Sequence, residues 1–258
     1  TSTHFDLVVV GAGIVGLAHA WTGARRGLRV AVVDRHHRCV GASIRNFGFV
    51  TVTGQGAGDT WRRARRSRDL WAEVAPQAGI AVLHKGLWLL AQRPAAMAVV
   101  EAFARTDMGA ECTLHSPAEA ASLAPELRTE GAAGALYSPH ELRVESREAI
   151  PQLAAWLAQA HGVHFFWGEE VQHVAAPRVQ TASRQLHADR VVICPGTELT
   201  GVARPHLQHH PLALTRLQML RVRPEPGFRL HAAVMSDLSL VRYHGYAALP
   251  EAAPLLAQ

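Results

Sequence analysis

Gly11, Gly13 and Gly16 are spaced as Gly-Ala-Gly-Ile-Val-Gly directly after the apolar run Leu7–Val10, and residues of that type and spacing can hold a phosphate. Gly11 permits a tight turn, Gly13 lets the backbone approach a pyrophosphate, and Gly16 lets a new helix pack closely on the strand before it. The free N–H groups at the helix start, at Ile14 and Val15, and the helix dipole favour an anion there. Asp34 ends a second apolar run, Arg29–Val33, and can accept hydrogen bonds from the hydroxyl pair of a ribose. An acid at that position argues against the 2′-phosphate of NADP and leaves FAD and NAD open.

These residues need a strand that turns directly into a helix. Leu7–Val10 is a β-branched run of the kind a central parallel strand shows when both its faces are buried. The helix expected after it carries Leu17, Ala20 and Ala24 and meets Gly27 as its stop, and the second strand then ends in the acid. After Asp34 comes a polar, glycine-punctuated segment, Arg35 to Phe49, too long for a simple turn. Its Ser43 hydroxyl, Arg35 and Arg45 guanidinium groups and Asn46 amide could meet phosphate oxygens and flavin edges, and the backbone of Phe47, Gly48, Phe49 and Val50 could pass a cofactor's reactive end.

With VVVGAGIVGLAHA, the acid Asp34 followed by Arg35, and GASIRNFGFV at 41–50 all in order, the chain resembles the FAD-dependent amine and amino-acid oxidoreductases, the superfamily of D-amino acid oxidase, glycine oxidase and sarcosine oxidase. The resemblance implies FAD as cofactor. It implies an α/β fold in which a Rossmann-like FAD-binding domain of the glutathione-reductase type carries an inserted mixed-sheet α+β substrate domain. In such a fold the 41–50 loop lies along the pyrophosphate and the isoalloxazine ring, and the backbone around Val171 borders the adenine. Cys194, Pro195 and Gly196, after the apolar strand Asp189–Ile193, match a second dinucleotide signature, with Glu198 where that family often has tryptophan. The domains expected are 1–76 and 142–205 for FAD, and 77–141 and 206–258 for substrate. The resemblance implies a further C-terminal segment that returns to the FAD domain, so the 258 residues are expected to be an incomplete copy of a longer protein.

The implied reaction oxidises the C–N bond of a small amine, amino acid or aminophosphonate. A hydride equivalent passes to flavin N5, the imine hydrolyses to a carbonyl, and dioxygen or another acceptor reoxidises the flavin. The protein need only hold the amine unprotonated, so no catalytic side chain is named. The runs SIRNFGFV, LQMLRV and SDLSLVRYHGYAAL look most like a bacterial subgroup linked to aminophosphonate breakdown. If Leu238–Leu249 is a strand, Arg242 could bind a carboxylate or phosphonate with both arms, and Tyr243 and Tyr246 could close a pocket over an amine. Alternating polar residues on a half-exposed sheet would look the same. Two other readings share the cofactor motifs: a flavin-dependent 2-hydroxy acid dehydrogenase, and a non-catalytic nucleotide-binding subunit.

The chain has 258 residues, 48% hydrophobic and 18% charged, which suits one large or two modest globular domains. No apolar window of membrane-spanning length and no leader before the first strand is seen, so no membrane span or signal peptide is expected. Cys39, Cys112 and Cys194 are far apart and odd in number, which suits a reducing cytoplasm and no metal motif. The net charge of +5 modestly favours anionic ligands. Arg62, Arg63, Arg65, Arg66 and Arg68 crowd a helix expected over Thr60–Ala75. They read as a solvated face rather than a nucleic-acid site, because no recognition motif accompanies them. His206, His209 and His210 fall at i, i+3 and i+4, but Pro205 and Pro211 bracket them and no nearby acid or cysteine completes a metal site.

Pro76 and Gly79 should break that helix, and Ile80–Gln92 alternates like an exposed edge strand. Further helices are expected over Pro94–Met108, from Ser116 with Pro117 at its first position, and over Ser146–His161 with Ser146 as cap. Strands are expected at Gly131–Tyr137, Val163–Trp167, Val171–Ala175, Arg184–Ile193, Leu217–Val222 and Leu238–Leu249.

Overall fold

The computed structural model describes residues 4–257. Its elements begin β1 (His4–Val10), α1 (Ile14–Arg25), β2 (Val30–Asp34), a 3-10 turn at Ala42–Ile44, β3 (Phe49–Val50), α2 (Asp59–Gln77), β4 (Val82–Ala91), α3 (Pro94–Ala104), β5 (Thr113–His115) and α4 (Pro117–Leu123). They continue β6 (Gly134–Val144), α5 (Ser146–His161), β7 (His164–Trp167), β8 (Val171–Ala175), β9 (Arg178–Thr181), β10 (Gln185–Ile193), α6 (Arg204–Leu207), β11 (Ala233–Ser236), α7 (Asp237–Leu240), α8 (His244–Ala247) and α9 (Ala253–Leu256).

Two compact units share the chain: Thr1–Phe47, Gln77–Ile80 and Ser146–Leu220 form the first, and Gly48–Pro76, Ala81–Glu145 and Arg221–Gln258 the second. The boundaries fall elsewhere than expected. Residues 48–76, assigned above to the FAD domain, lie in the second unit, because β3 pairs with β6 and Trp61 of α2 packs on the cluster around Leu89, Phe103 and Tyr246. Residues 206–220 fall with the first unit.

The first unit is built on a sheet in the order β7-β2-β1-β10-β9-β8. The four strands from β7 to β10 are parallel, and β9 and β8 continue antiparallel. Val8 and Val9 of β1 are wholly buried, as both faces of a central strand require. Each such apolar side chain contributes about 1.5–3 kcal/mol by leaving water. Helices α1 and α5 pack together, with Trp21 edge-on to Trp156 at 6.1 Å and Leu17 and Leu157 buried. Ser146 is already the first helical residue of α5, and its hydroxyl donates to the Asn46 carbonyl oxygen at 3.0 Å, so it braces the 41–47 loop where a helix cap was expected.

The second unit's sheet runs β11-β4-β6-β3, with β5 also on β6. β4 is an interior strand, not an edge. A register shift between Lys85 and Leu87, with Gly86 at φ +79°, divides it into a half-exposed first part that alternates and a buried second part that does not. Helix α4 starts at Ser116 as expected: Ser116 Oγ accepts the Glu119 N–H and Glu119 returns the bond to the Ser116 N–H. Helix α2 carries Pro76 inside its last turn, so it ends one residue beyond the proline.

Two expected strands are absent at their places. Leu217–Val222 has no regular structure and its Leu220 is 93% exposed, while the sheet edge beside β4 is taken by β11. Leu238–Leu249 is helical, forming α7 and α8. Leu240 and Tyr246 bury their side chains there, and the buried Asp237 fixes the start of α7 by accepting the Gln92 N–H and the Arg93 Nε–H, both at 2.8 Å.

Candidate functional site

β2, β1 and β10 lie side by side and parallel, with Val10 opposite Val33 on one side and Ile193 on the other. Their C-terminal ends therefore bring together the glycine turn, Asp34 and Cys194–Gly196. The Gly11 N–H donates to the Val33 carbonyl and the Cys194 N–H to the Val10 carbonyl, both at 2.8 Å. Gly11 has φ +104°, and a Cβ on it would lie 2.2 Å from the Cys194 carbonyl oxygen; a Cβ on Gly16 would lie 1.9 Å from the Gly11 carbonyl oxygen. Only glycine fits at either place.

At the start of α1 the Ser43 hydroxyl oxygen accepts the Ile14 N–H at 2.9 Å, so this helix end receives an acceptor oxygen of the kind a pyrophosphate offers. Asp34 accepts the Ala12 N–H on Oδ2 at 2.8 Å and the His36 N–H on Oδ1 at 2.9 Å. Each carboxylate oxygen keeps lone-pair capacity for a ribose hydroxyl. The residues present fit a dinucleotide.

The loop after Asp34 shows a division of labour. Asn46 Nδ2 donates to the Ala42 and Ser43 carbonyls and closes the 3-10 turn. Arg45 and Phe47 are exposed, Gly48 is buried, and Phe49 opens β3. Arg35 is paired with Glu198 at 2.9 Å, so the residue standing where the family often has tryptophan ties the end of β2 to the turn after β10. The Glu198 carboxyl is held down to about 2, first by hydrogen bonds from the Thr200 hydroxyl and N–H and then by Arg35. Cys39 donates to the Ala12 carbonyl at 3.0 Å, and its thiol is pushed up to about 11 by burial and then by the Asp34 charge. Burial raises the Cys194 thiol as well, so neither is a ready thiolate. Val171 is buried with Phe5, Val8 and Val33, and its backbone pairs with Thr181.

The substrate residues inferred from a strand lose that argument. Arg242 is exposed between two short helices, Tyr243 is half-buried, and Tyr246 lies wholly in the core against Phe103, with ring centroids 4.7 Å apart. The arginine face of α2 is paired and solvated: Arg62 with Asp59, Arg65 with Glu111 at 2.9 Å, and Arg68 with Asp69 at 2.9 Å. Among the described residues no group of three or more His, Cys, Asp or Glu is placed to hold a metal ion, and no helix is long and apolar enough to cross a membrane.

Sequence reasoning missed Glu141, a carboxylate wholly buried on β6 whose Oε1 accepts the N–H groups of Val52 and Thr53 at 3.2 and 2.7 Å. The signal was there: a charged residue inside the run GALYSPHELRV, which is long enough for one strand.

A glycine turn, a terminal acid and a second glycine turn, abreast at the ends of parallel strands, define a dinucleotide-binding protein of the Rossmann-like class. The chain belongs to the DAO family, described as FAD dependent oxidoreductase, whose model matches residues 6–255. Glycine oxidase from Geobacillus kaustophilus has a similar structure, with TM-score 0.63 and 23% identity over 75% of this chain and 55% of its own. L-proline dehydrogenase from P. horikoshii gives TM-score 0.64 and 23% identity, over 75% of this chain and 53% of its own. L-alpha-glycerophosphate oxidase from Mycoplasma pneumoniae, with FAD bound, gives TM-score 0.69 and 17% identity, over 94% of this chain and 66% of its own. At these identities the likeness is one of fold. A stretch of 55 residues is 46% identical to a coproporphyrinogen III oxidase of Propionibacterium freudenreichii subsp. freudenreichii, covering 20% of this chain and 10% of that protein. The chain thus spans between about half and two thirds of the length of the solved relatives.

Proposed function

We propose that this chain binds FAD through its first unit and serves an oxidoreductase that oxidises the C–N bond of a small amine or amino acid. The observation that carries the reading is the convergence of the glycine turn, Asp34 and Cys194–Gly196 at the ends of three adjacent parallel strands, with Ser43 on the helix start. Gly11, Gly13, Ile14, Val15 and Gly16 would receive the pyrophosphate, with Ser43 beside them and Asp34 on the ribose. The backbone at Val171 would border the adenine, and Cys194, Pro195 and Gly196 would pass the cofactor on the β10 side. Phe47, Gly48 and Phe49 would pass its reactive end, with Arg45 and Asn46 shaping that loop. Bound FAD would accept a hydride equivalent from the carbon beside the nitrogen, leaving an imine for water to hydrolyse, and dioxygen or another acceptor would take up the electrons. The chain's own residues bind, orient and exclude water.

Support for an amine comes from glycine oxidase, L-proline dehydrogenase and L-amino acid deaminase among the structural neighbours. Aminophosphonates of the aminoethylphosphonate kind are the first amines to try, on the runs SIRNFGFV and LQMLRV. A second reading, oxidation at a carbon bearing a hydroxyl, is favoured by the similarity to L-alpha-glycerophosphate oxidase across 94% of this chain. The three free cysteines support a reducing compartment, the cytoplasm.

The test is the visible spectrum of the purified protein with FAD, before and after anaerobic addition of amines, aminophosphonates and 2-hydroxy acids. Bleaching by an amine supports the first reading, and bleaching by a hydroxy acid alone moves it to the second. A protein that retains no flavin from added FAD would sink both.

A further inference from the structure

Glu141 and Tyr246 are wholly buried, and both keep one oxygen without a partner: Oε2 of the carboxylate and the phenolic hydroxyl. Both side chains bear on the same turn. Oε1 of Glu141 accepts the Val52 and Thr53 N–H groups at 3.2 and 2.7 Å, and the ring of Tyr246 packs on the next residue, where a Cβ on Gly54 would lie 2.4 Å from Cε2. The Thr53 hydroxyl, in turn, is 2.6 Å from that of Ser138 on the strand that carries Glu141. Three consecutive residues are therefore held from two sides, by a buried carboxylate on β6 and a buried ring on α8. This turn directly follows β3, the continuation of the segment read above as passing the flavin's reactive end.

A carboxylate enclosed in a protein is costly unless its hydrogen bonds are made, so a sequence that places one opposite two backbone donors has a geometric use for it. The two unpartnered oxygens lie close enough for the Glu141 charge to act on the Tyr246 hydroxyl, and together they supply the two polar partners that one internal water needs. Burial, and next the charge of Glu141, raise the Tyr246 hydroxyl well above its ordinary value, so it remains a donor. The Cys112 thiol beside this group is likewise pushed up to about 11, chiefly by burial.

We propose that Glu141 is a positioning residue: its Oε1 clamps the Val52–Gly54 turn, and its Oε2 shares one internal water with the Tyr246 hydroxyl, so that the carboxylate fixes the course of the chain from Phe49 to Gly54. The flavin-positioning part of this rests on the FAD reading given above; the clamp itself does not.

The experiment compares Glu141→Ala, Glu141→Gln and Tyr246→Phe with the parent, using the full chain with and without FAD. Leu136→Ala, a substitution in the same buried cluster as Tyr246 that removes no hydrogen bond to the turn, serves as a control for simple destabilisation. Hydrogen exchange is followed at the Val52 and Thr53 amides, and the midpoint potential of bound FAD is measured. Glu141→Ala should speed exchange at both amides by roughly tenfold or more, the loss expected for a bond to a charged group. Glu141→Gln, which keeps one amide oxygen as acceptor, should restore most of the protection, and Tyr246→Phe should loosen the turn by a smaller factor. The potential should move in Glu141→Ala and stay in Leu136→Ala. Parent-like exchange in Glu141→Ala would overturn the proposal, as would Leu136→Ala reproducing both effects. If the parent holds no flavin, the FAD reading fails on that result, and the exchange data still decide the clamp.

Discussion

Asp34 Oδ2 accepts the Ala12 amide hydrogen at 2.8 Å, so the acid that ends β2 is joined to the turn that ends β1 by the chain itself, with no ligand needed to align them. Asp34→Ala removes this bond and the one to His36 together. It should cost about 1–3 kcal/mol of stability by leaving the part-buried Ala12 N–H unpaired, and weaken FAD binding at least tenfold. Thermal unfolding and flavin titration measure the two separately. An Asp34→Ala protein that binds FAD as the parent does would remove the ribose role.

Glycine substitutions should split by space. Gly16→Ala drives a Cβ to 1.9 Å from the Gly11 carbonyl oxygen, a backbone atom that can yield only by moving β1 or α1. A loss of about 1–3 kcal/mol, with FAD retention lost alongside, is expected. Gly41→Ala meets nothing within 4 Å and has φ −78°, so it should stay within about 0.5 kcal/mol of the parent. Equal melting temperatures for the two variants would contradict this.

Acid should loosen the Arg35–Glu198 tie in a defined window. The Glu198 carboxyl is held at about 2, below its ordinary 4.5, so its ionised form is favoured in the folded chain. Its contribution is complete above about pH 4.5 and is lost as the pH falls toward 2. The stability of Glu198→Gln should fall less steeply than the parent's across that window; parallel curves would show that the tie contributes nothing to folding.

Cys39 should resist alkylation in the native protein at pH 8, because its thiol is buried, donates to the Ala12 carbonyl and is pushed up to about 11, chiefly by burial. Mass spectrometry after a pulse of iodoacetamide, with and without denaturant, reads this directly. Rapid native labelling would mean that the Ala12–Cys39 contact opens.

Tyr246→Ala should cost about 3–5 kcal/mol, the scale for deleting a buried aromatic ring. If instead the variant melts like the parent and raises only the KM of an amine substrate, Tyr246 is a substrate contact after all.

How much of this was legible depended on how local each signal was. The unit from β1 to Asp34 was readable because every cue lies within thirty-odd residues of sequence: an apolar strand, glycines at fixed spacing, a helix stop and a terminal acid. Helix α4 was readable for the same reason, since Ser116 and Glu119 cap it reciprocally. The failures were non-local. Whether Leu217–Val222 is a strand depends on a partner that β4 gives to β11 instead, and an alternating run carries no record of which neighbour is taken. Leu238–Leu249 looked like strand because Leu, Val and Tyr suit either state, and the fit of Tyr246 against Gly54 decides it. Glu141 went unnoticed because its partners, Val52 and Thr53, are backbone groups nearly ninety residues away.

The pairing of β1 with β10 sets a clock on the chain's biosynthesis. His4 is in register with His187 and Val10 with Ile193, so β1 waits for a partner strand made about 180 residues later. At about 5–20 residues per second of synthesis, that wait is on the order of ten seconds or more. Meanwhile Leu7–Val10 presents an open apolar edge on the ribosome, the kind of surface that invites mispairing and chaperone capture. A ribosome stalled before residue 185 would leave a nascent chain with its glycine turn intact in sequence and no wall against which to close it.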